Sequence, residues 1–171
     1  MDLKKAIREI NDFPKEGILF YDITTLLYSP ETLTCAIDKM AEKIKDIDFD
    51  LIVCPESRGF IFGMPLAYKL KKGFVPARKP GKLPYKTVSK AYDLEYGTNS
   101  IEIHADTISP GQKIIIVDDL LATGGTCKAL AQLIEQMGGK IAAIEFLIEL
   151  KNLGGRNILK EYPNVLSIIE Y

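Results

Sequence analysis

Asp118 and Asp119, followed closely by Thr123, Gly124, Gly125 and Thr126, put two kinds of ligand chemistry into one short stretch. Two adjacent carboxylates accept hydrogen bonds from hydroxyls. Two glycines let backbone N–H groups approach a ligand with no Cβ in the way, the threonines add hydroxyl donors, and a following helix presents the positive end of its dipole. That second half suits one phosphate. The acidic pair would repel the same anion unless it faced a different, hydroxyl-bearing part of the ligand, and a sugar phosphate meets both demands. No Gly-Lys-Ser/Thr follows at Walker spacing and no Gly-x-Gly-x-x-Gly is present, which disfavours an NTPase or a dehydrogenase. On residue types alone, the stretch also reads as a plain strand, an Asp-rich turn and a glycine-rich helix start.

Three other clusters carry charge that could act. Pro55-Glu56-Ser57-Arg58-Gly59 would place a guanidinium and backbone donors in a turn, fit for a second anion or equally an ordinary turn with a surface Arg. Arg78, Lys79, Lys82 and Lys86, interleaved with Pro80, Gly81 and Pro84, make a cationic segment that is either a solvated loop or a lid over a multiply charged leaving group. Glu95 lies between aromatic residues. On a closing loop it could be desolvated into an acid/base range, whereas taken alone it is a surface carboxylate. Cys35, Cys54 and Cys127 show no metal or disulfide spacing and read as small buried hydrophobes, with Cys127 close enough to the glycines for alkylation to inhibit. His104 reads as a strand-end or surface residue.

These groups need a scaffold that brings turns together. Ile114 to Val117 is a β-branched run suited to a central strand buried on both faces, with the acidic pair expected just past its carboxyl end. Asp50 to Cys54, Gly73 to Ala77, Ser100 to His104, Ile141 to Leu150 and Val165 to Ile169 read as further strands. Helical spacing is found over Asp2 to Ile10, Pro30 to Lys45, Gly59 to Leu70, Lys128 to Met137 and Asn152 to Glu161. Gly138-Gly139 should end the fourth of these. Such alternation predicts one α/β domain over 1–171, with a mainly parallel sheet of about five strands flanked by helices. In such sheets ligands bind outside the carboxyl ends of the strands.

Composition narrows the partners. Lys and Arg number 22 against 23 Asp and Glu, a net charge of -1, so there is no electrostatic footprint for nucleic acid. The sequence shows no long apolar span and no signal-peptide pattern, which predicts a cytoplasmic protein with no membrane partner.

Val117 to Thr126 resembles the phosphoribosyl-pyrophosphate (PRPP) motif of type I phosphoribosyltransferases. Asp12-Phe13-Pro14 with Ile18 to Thr24, Glu56 to Phe60, and Arg78 to Gly97 resemble, in the right order, segments of the adenine-specific members of that family. The likeness runs essentially end to end. It departs from the usual pattern at Tyr21, where Arg or Lys is common, and at Thr25, where Pro is common. The resemblance implies the type I phosphoribosyltransferase fold, with a small N-terminal hood over about residues 1–28 and a flexible lid over about 79–100.

It also implies roles. Asp118 and Asp119 would hold the ribose hydroxyls, and Ala122, Thr123, Gly124, Gly125 and Thr126 the 5'-phosphate. Ser57, Arg58, Arg78 and Lys82 would contact pyrophosphate, with Glu56-Ser57-Arg58 in a loop that often has a strained or cis peptide. Leu19, Phe20, Tyr21 and Leu150 would form the adenine pocket, Phe20 stacking on the ring. Glu95 would carry the purine proton, supported by Tyr96. The implied reaction is adenine plus PRPP giving AMP and pyrophosphate, with Mg2+ arriving on the substrate and no direct protein ligands for it, in a homodimer. A 6-oxopurine transferase, or a PRPP-sensing regulator on the same fold, is the alternative.

Overall fold

The computed structural model describes residues 1–93 and 98–171. The chain opens with a turn of 3-10 helix, Leu3–Ala6, then strand β1 (Arg8–Ile10), which pairs antiparallel with β2 (Phe20–Asp22). The helix expected over Asp2 to Ile10 is therefore a single turn. Leu3 and Ile7 are buried as a helical stripe would have them, but Ile10 is extended opposite Phe20. Pairing with a strand ten residues away outcompetes a second helical turn. A short helix α1 (Thr24–Leu27) leads to α2 (Pro30–Ile44), which begins as expected, with Pro30 in its first turn and the Ser29 hydroxyl accepting from the Thr32 amide at 3.4 Å.

The body alternates strand and helix: β3 (Leu51–Pro55), α3 (Arg58–Leu70), β4 (Gly73–Ala77), an antiparallel pair β5 (Thr87–Asp93) and β6 (Thr98–His104), β7 (Lys113–Leu121), α4 (Gly125–Gln136) and β8 (Lys140–Glu149). A 3-10 turn, Lys151–Leu153, a short α5 (Gly155–Ile158) and β9 (Val165–Glu170) finish it. The longer helix expected over Asn152 to Glu161 is broken at Gly154, whose φ of +67° lies in the left-handed region.

Five strands form one sheet in the order β4-β3-β7-β8-β9, each neighbour parallel. Helices α2 and α3 and the N-terminal segment cover one face; α4 and residues of β6 pack on the other. Burial on both sides explains why Ile114, Ile115, Ile116 and Val117 are all 0% exposed. β7 runs four residues beyond its apolar run, so Asp118 and Asp119 lie inside the strand, Asp118 in register with Phe146 of β8. A backbone flanked by a paired neighbour continues as a strand whatever the polarity of its side chains. The helix after the glycines likewise begins at Gly125, three residues earlier than its apolar spacing suggested.

Topology then places the site. From β3 the chain passes through α3 to β4 on one side, while the next sheet strand, β7, lies on the other. Connections diverging from adjacent strands leave a crevice between their carboxyl ends.

Candidate active site

That crevice holds a cavity of about 390 Å³ between the ends of β3 and β7, walled by residues 55–58 and 118–127 and by Phe146. Two glycines set its shape. Gly124 has φ +84°, and a Cβ there would lie 2.9 Å from the Gly155 carbonyl oxygen, so conformation and space both exclude a side chain. Gly125 and Thr126 form the first turn of α4, whose leading amides have no partner within the helix and are free for an anion. The Thr126 hydroxyl lies 3.4 Å from the Tyr92 hydroxyl, to which it can donate. On the other wall, Gly59 lets the first turn of α3 close on the acidic pair, since a Cβ there would be 3.0 Å from Asp118 Oδ1.

The acidic pair is not two free charges. Asp118 Oδ1 accepts from the Asp119 amide at 2.8 Å, and Asp119, only 4% exposed, has Oδ2 2.9 Å from Arg58 Nε, an ion pair without directed hydrogen-bond geometry. Burial pushes the Asp118 carboxyl well above its usual range and the neighbouring Asp119 charge adds to this; burial also raises Asp119, against the pull of Arg58. A pair that resists holding two charges can sit near an anion and still accept from hydroxyls.

Arg58 also faces the N-terminal strip. Its Cζ is 5.8 Å from the centroid of the Phe20 ring, and Phe13 packs edge-on against Phe20 at 5.1 Å. Strand alternation turns Tyr21 the other way, against Tyr171 at 4.0 Å, where burial raises its hydroxyl pKa and Glu9 adds to the effect. Leu19 is 38% exposed, and Leu150 is half-buried with its amide donating to the Leu121 carbonyl at 2.9 Å.

The structure thus gathers Ser57, Arg58, Asp118, Asp119 and Ala122 to Thr126 around one cavity. Leu19, Phe20, Tyr21, Leu150, Arg78 and Lys82 do not wall it. Phe20 is joined to it through Arg58, while the Tyr21 ring packs away from it. Glu95 and Tyr96 lie outside the described residues. Arg78 is one step removed: its Nε donates to Glu56 Oε2 at 2.8 Å, and its Nη1 to the Lys82 carbonyl at 3.3 Å. Glu56, whose peptide bond to Ser57 is cis, also accepts from the Lys79 amide at 2.8 Å. Burial alone would raise the Glu56 carboxyl, but the Lys79 amide and the Arg78 guanidinium outweigh it and hold it below its usual range.

Glu56 is the residue that sequence reasoning left without a role. A carboxylate two positions before an Arg expected to meet an anion is out of place unless it anchors another cation, and that was the available signal. Cys127 lines the cavity, but burial pushes its thiol well above the usual range and makes it a poor nucleophile. Among the described residues, no group of three His, Cys, Asp or Glu side chains is placed to hold a metal ion, and no helix is long and apolar enough to cross a membrane.

Residues 23–169 match the family described as phosphoribosyl transferase domain. An adenine phosphoribosyltransferase of Pseudothermotoga lettingae is 59% identical over 171 residues, the full length of both chains. The crystal structure of an adenine phosphoribosyltransferase from Thermoanaerobacter pseudethanolicus superposes with a TM-score of 0.96 at 53% identity, over 99% of this chain and 98% of that one. That of the Saccharomyces cerevisiae enzyme, complexed with an iminoaltritol bisphosphate and adenine, gives 0.87 at 39% identity, over 96% and 94%. With its parallel sheet, switch-point cavity and acidic pair beside a glycine-rich helix start, the chain belongs to the phosphoribosyl transferase family, among the adenine phosphoribosyltransferases.

Proposed function

We propose that this protein transfers the 5-phosphoribosyl group of PRPP to adenine, forming AMP and releasing pyrophosphate, a purine-salvage reaction. The observation that carries this reading is one cavity in which a buried acidic pair adjoins a glycine-shaped helix start. The yeast relative crystallised with adenine and a sugar-like bisphosphate supports pairing that cavity with a base site.

An adenine ring nitrogen attacks the anomeric carbon. The bond from that carbon to pyrophosphate breaks, its electron pair leaves with the pyrophosphate, and the nitrogen loses its proton. Residues 122–126 hold the 5'-phosphate, and Asp118 and Asp119 accept from the ribose hydroxyls and lend negative field to a cationic, oxocarbenium-like carbon. Arg58 offsets charge on the departing pyrophosphate, helped by Ser57, and Arg78 and Lys82 add to this as the basic loop closes from its anchor on Glu56. Phe20 offers a flat face to the purine, with Leu19, the Tyr21 backbone and Leu150 around it. Glu95, supported by Tyr96, takes the proton.

The carboxylates at the cavity are engaged with Arg58, with Arg78 and with backbone amides, so they make no cage for a metal. Magnesium enters as part of the substrate, bound to phosphate oxygens, and supplies charge neutralisation there. The same reading makes the protein cytoplasmic and a homodimer. Exposed Ile61, Met64 and Tyr68 along α3 support a second copy on that face, which sedimentation would detect.

The test is product formation from PRPP and magnesium with adenine, hypoxanthine, guanine or xanthine. AMP from adenine alone is expected. Turnover of an oxopurine in its place would overturn the base assignment.

A further inference from the structure

The phosphate loop rests on a second glycine turn. A Cβ at Gly155 would fall 2.3 Å from the Ala122 carbonyl oxygen and 2.8 Å from Leu121 Cδ1, while one at Gly124 would fall 2.9 Å from the Gly155 carbonyl oxygen. Backbone therefore meets backbone between Gly155 and residues 122–124, and Gly155 does not wall the cavity. A contact of this kind has no directional bond of its own and holds its spacing only if both partners are fixed.

Residue 156 supplies the fixing. Arg156 Nε donates to Glu149 Oε1 at 2.9 Å, its Nη2 donates to Glu149 Oε2, and its Nη1 donates to the Val165 carbonyl at 2.5 Å. The Ser167 hydroxyl donates to Glu149 Oε2 at 2.8 Å. Glu149 is 3% exposed and is the last residue of β8, in register with Leu121 at the end of β7. A planar guanidinium meets a buried carboxylate with both arms, an arrangement that defines orientation as well as attraction. Hydrogen bonds from Arg156 hold the Glu149 carboxyl below its usual range, so the pair is charged at neutral pH.

From this geometry we infer that Glu149 and Arg156 are positioning residues for sugar-phosphate binding: they clamp the Gly154–Gly155 turn to the ends of β8 and β9 and so hold residues 122–124 in the shape that receives the 5'-phosphate. The inference rests on the function proposed above. Neither side chain walls the cavity, so their effect passes through the Gly155–Gly124 contact. Lysine cannot replace the fork, because one ammonium cannot span both carboxylate oxygens and the Val165 carbonyl.

Steady-state kinetics of Arg156→Lys and Glu149→Gln beside wild type, with melting temperatures, tests this. The KM for PRPP should rise about tenfold or more while the KM for adenine changes less than about twofold, since a misplaced phosphate cradle leaves the base site alone. Calorimetry with ribose 5-phosphate on the same proteins should show the same loss of affinity. A fall in melting temperature with the PRPP KM and ribose 5-phosphate affinity unchanged would mean that the clamp serves stability only, and would overturn the inference. Should wild type fail to make AMP, the functional reading fails, and the ribose 5-phosphate titration still decides whether the clamp shapes the loop.

Discussion

The two halves of the site are built by different means. The half proposed for the sugar phosphate is made from the ends of adjacent parallel strands and from glycines whose backbones are in contact, so its groups have little room to move. The half proposed for the base is a three-residue strand paired with another three-residue strand, and the segment between them leaves Phe13, Ile18 and Leu19 at 50%, 43% and 38% exposure. Among the described residues, the Arg58–Phe20 contact and the Leu150 amide, which donates to the Leu121 carbonyl, link the two. A rigid cradle for the group common to many substrates, beside a lightly attached surface for the group that varies, allows one fold to change its base without rebuilding its phosphate site.

If that division is right, changes in one half should leave the other's constants alone. The largest effect is expected from Asp119→Asn, which removes the partner of Arg58 and an acceptor for ribose: kcat/KM for PRPP should fall by roughly 10²- to 10³-fold, with adenine binding altered far less. An equal loss for both substrates would break the comparison. Phe20→Ala should raise the KM for adenine by about tenfold, the worth of one base–aromatic stack, with the PRPP KM held within about twofold. A PRPP effect as large as the adenine effect would show that Arg58 depends on the Phe20 ring.

The smallest effect on catalysis is expected in the scaffold shared by both halves. Glu145, on β8, is 0% exposed with neither carboxylate oxygen hydrogen-bonded among the described residues, and burial pushes its pKa up to about 8, opposed only in part by Lys43. A carboxyl whose pKa is higher folded than unfolded binds more protons when folded, so it costs stability as pH rises from about 4.5 to about 8. Glu145→Gln should therefore gain stability over wild type across that interval, by at most about 5 kcal/mol, while the ratio of the PRPP and adenine KM values stays constant. Denaturant melts at pH 5 and pH 8 would show it; a constant difference at the two pH values would contradict it.

The division also accounts for what could be read in advance. That Asp118, Asp119 and Gly124 share one cavity was legible because a sugar phosphate would demand those residue types at that spacing; the ligand itself is the proposal. The five-stranded sheet was legible from apolar runs and intervening helices. The hood was not legible in the same way. Leu3 and Ile7 have helical spacing, and only the pairing of Arg8 with Asp22 and of Ile10 with Phe20 reveals a strand. Tyr21 was grouped with Phe20 as a base contact, yet the alternation of β2 sends its ring to Tyr171, at the far end of the chain. Glu56 with Arg78, and Glu149 with Arg156, are likewise pairs across turns and strands, and neither partner announces the other in sequence.

A crystal structure with AMP and pyrophosphate bound would test the central claim most directly. The account predicts the 5'-phosphate on the amides and hydroxyls of residues 122–126, the ribose hydroxyls on Asp118 and Asp119, pyrophosphate beside Arg58, and the purine against Phe20. A nucleotide phosphate seated on the basic loop near Arg78 and Lys82, with the cradle at the start of α4 empty, would contradict it.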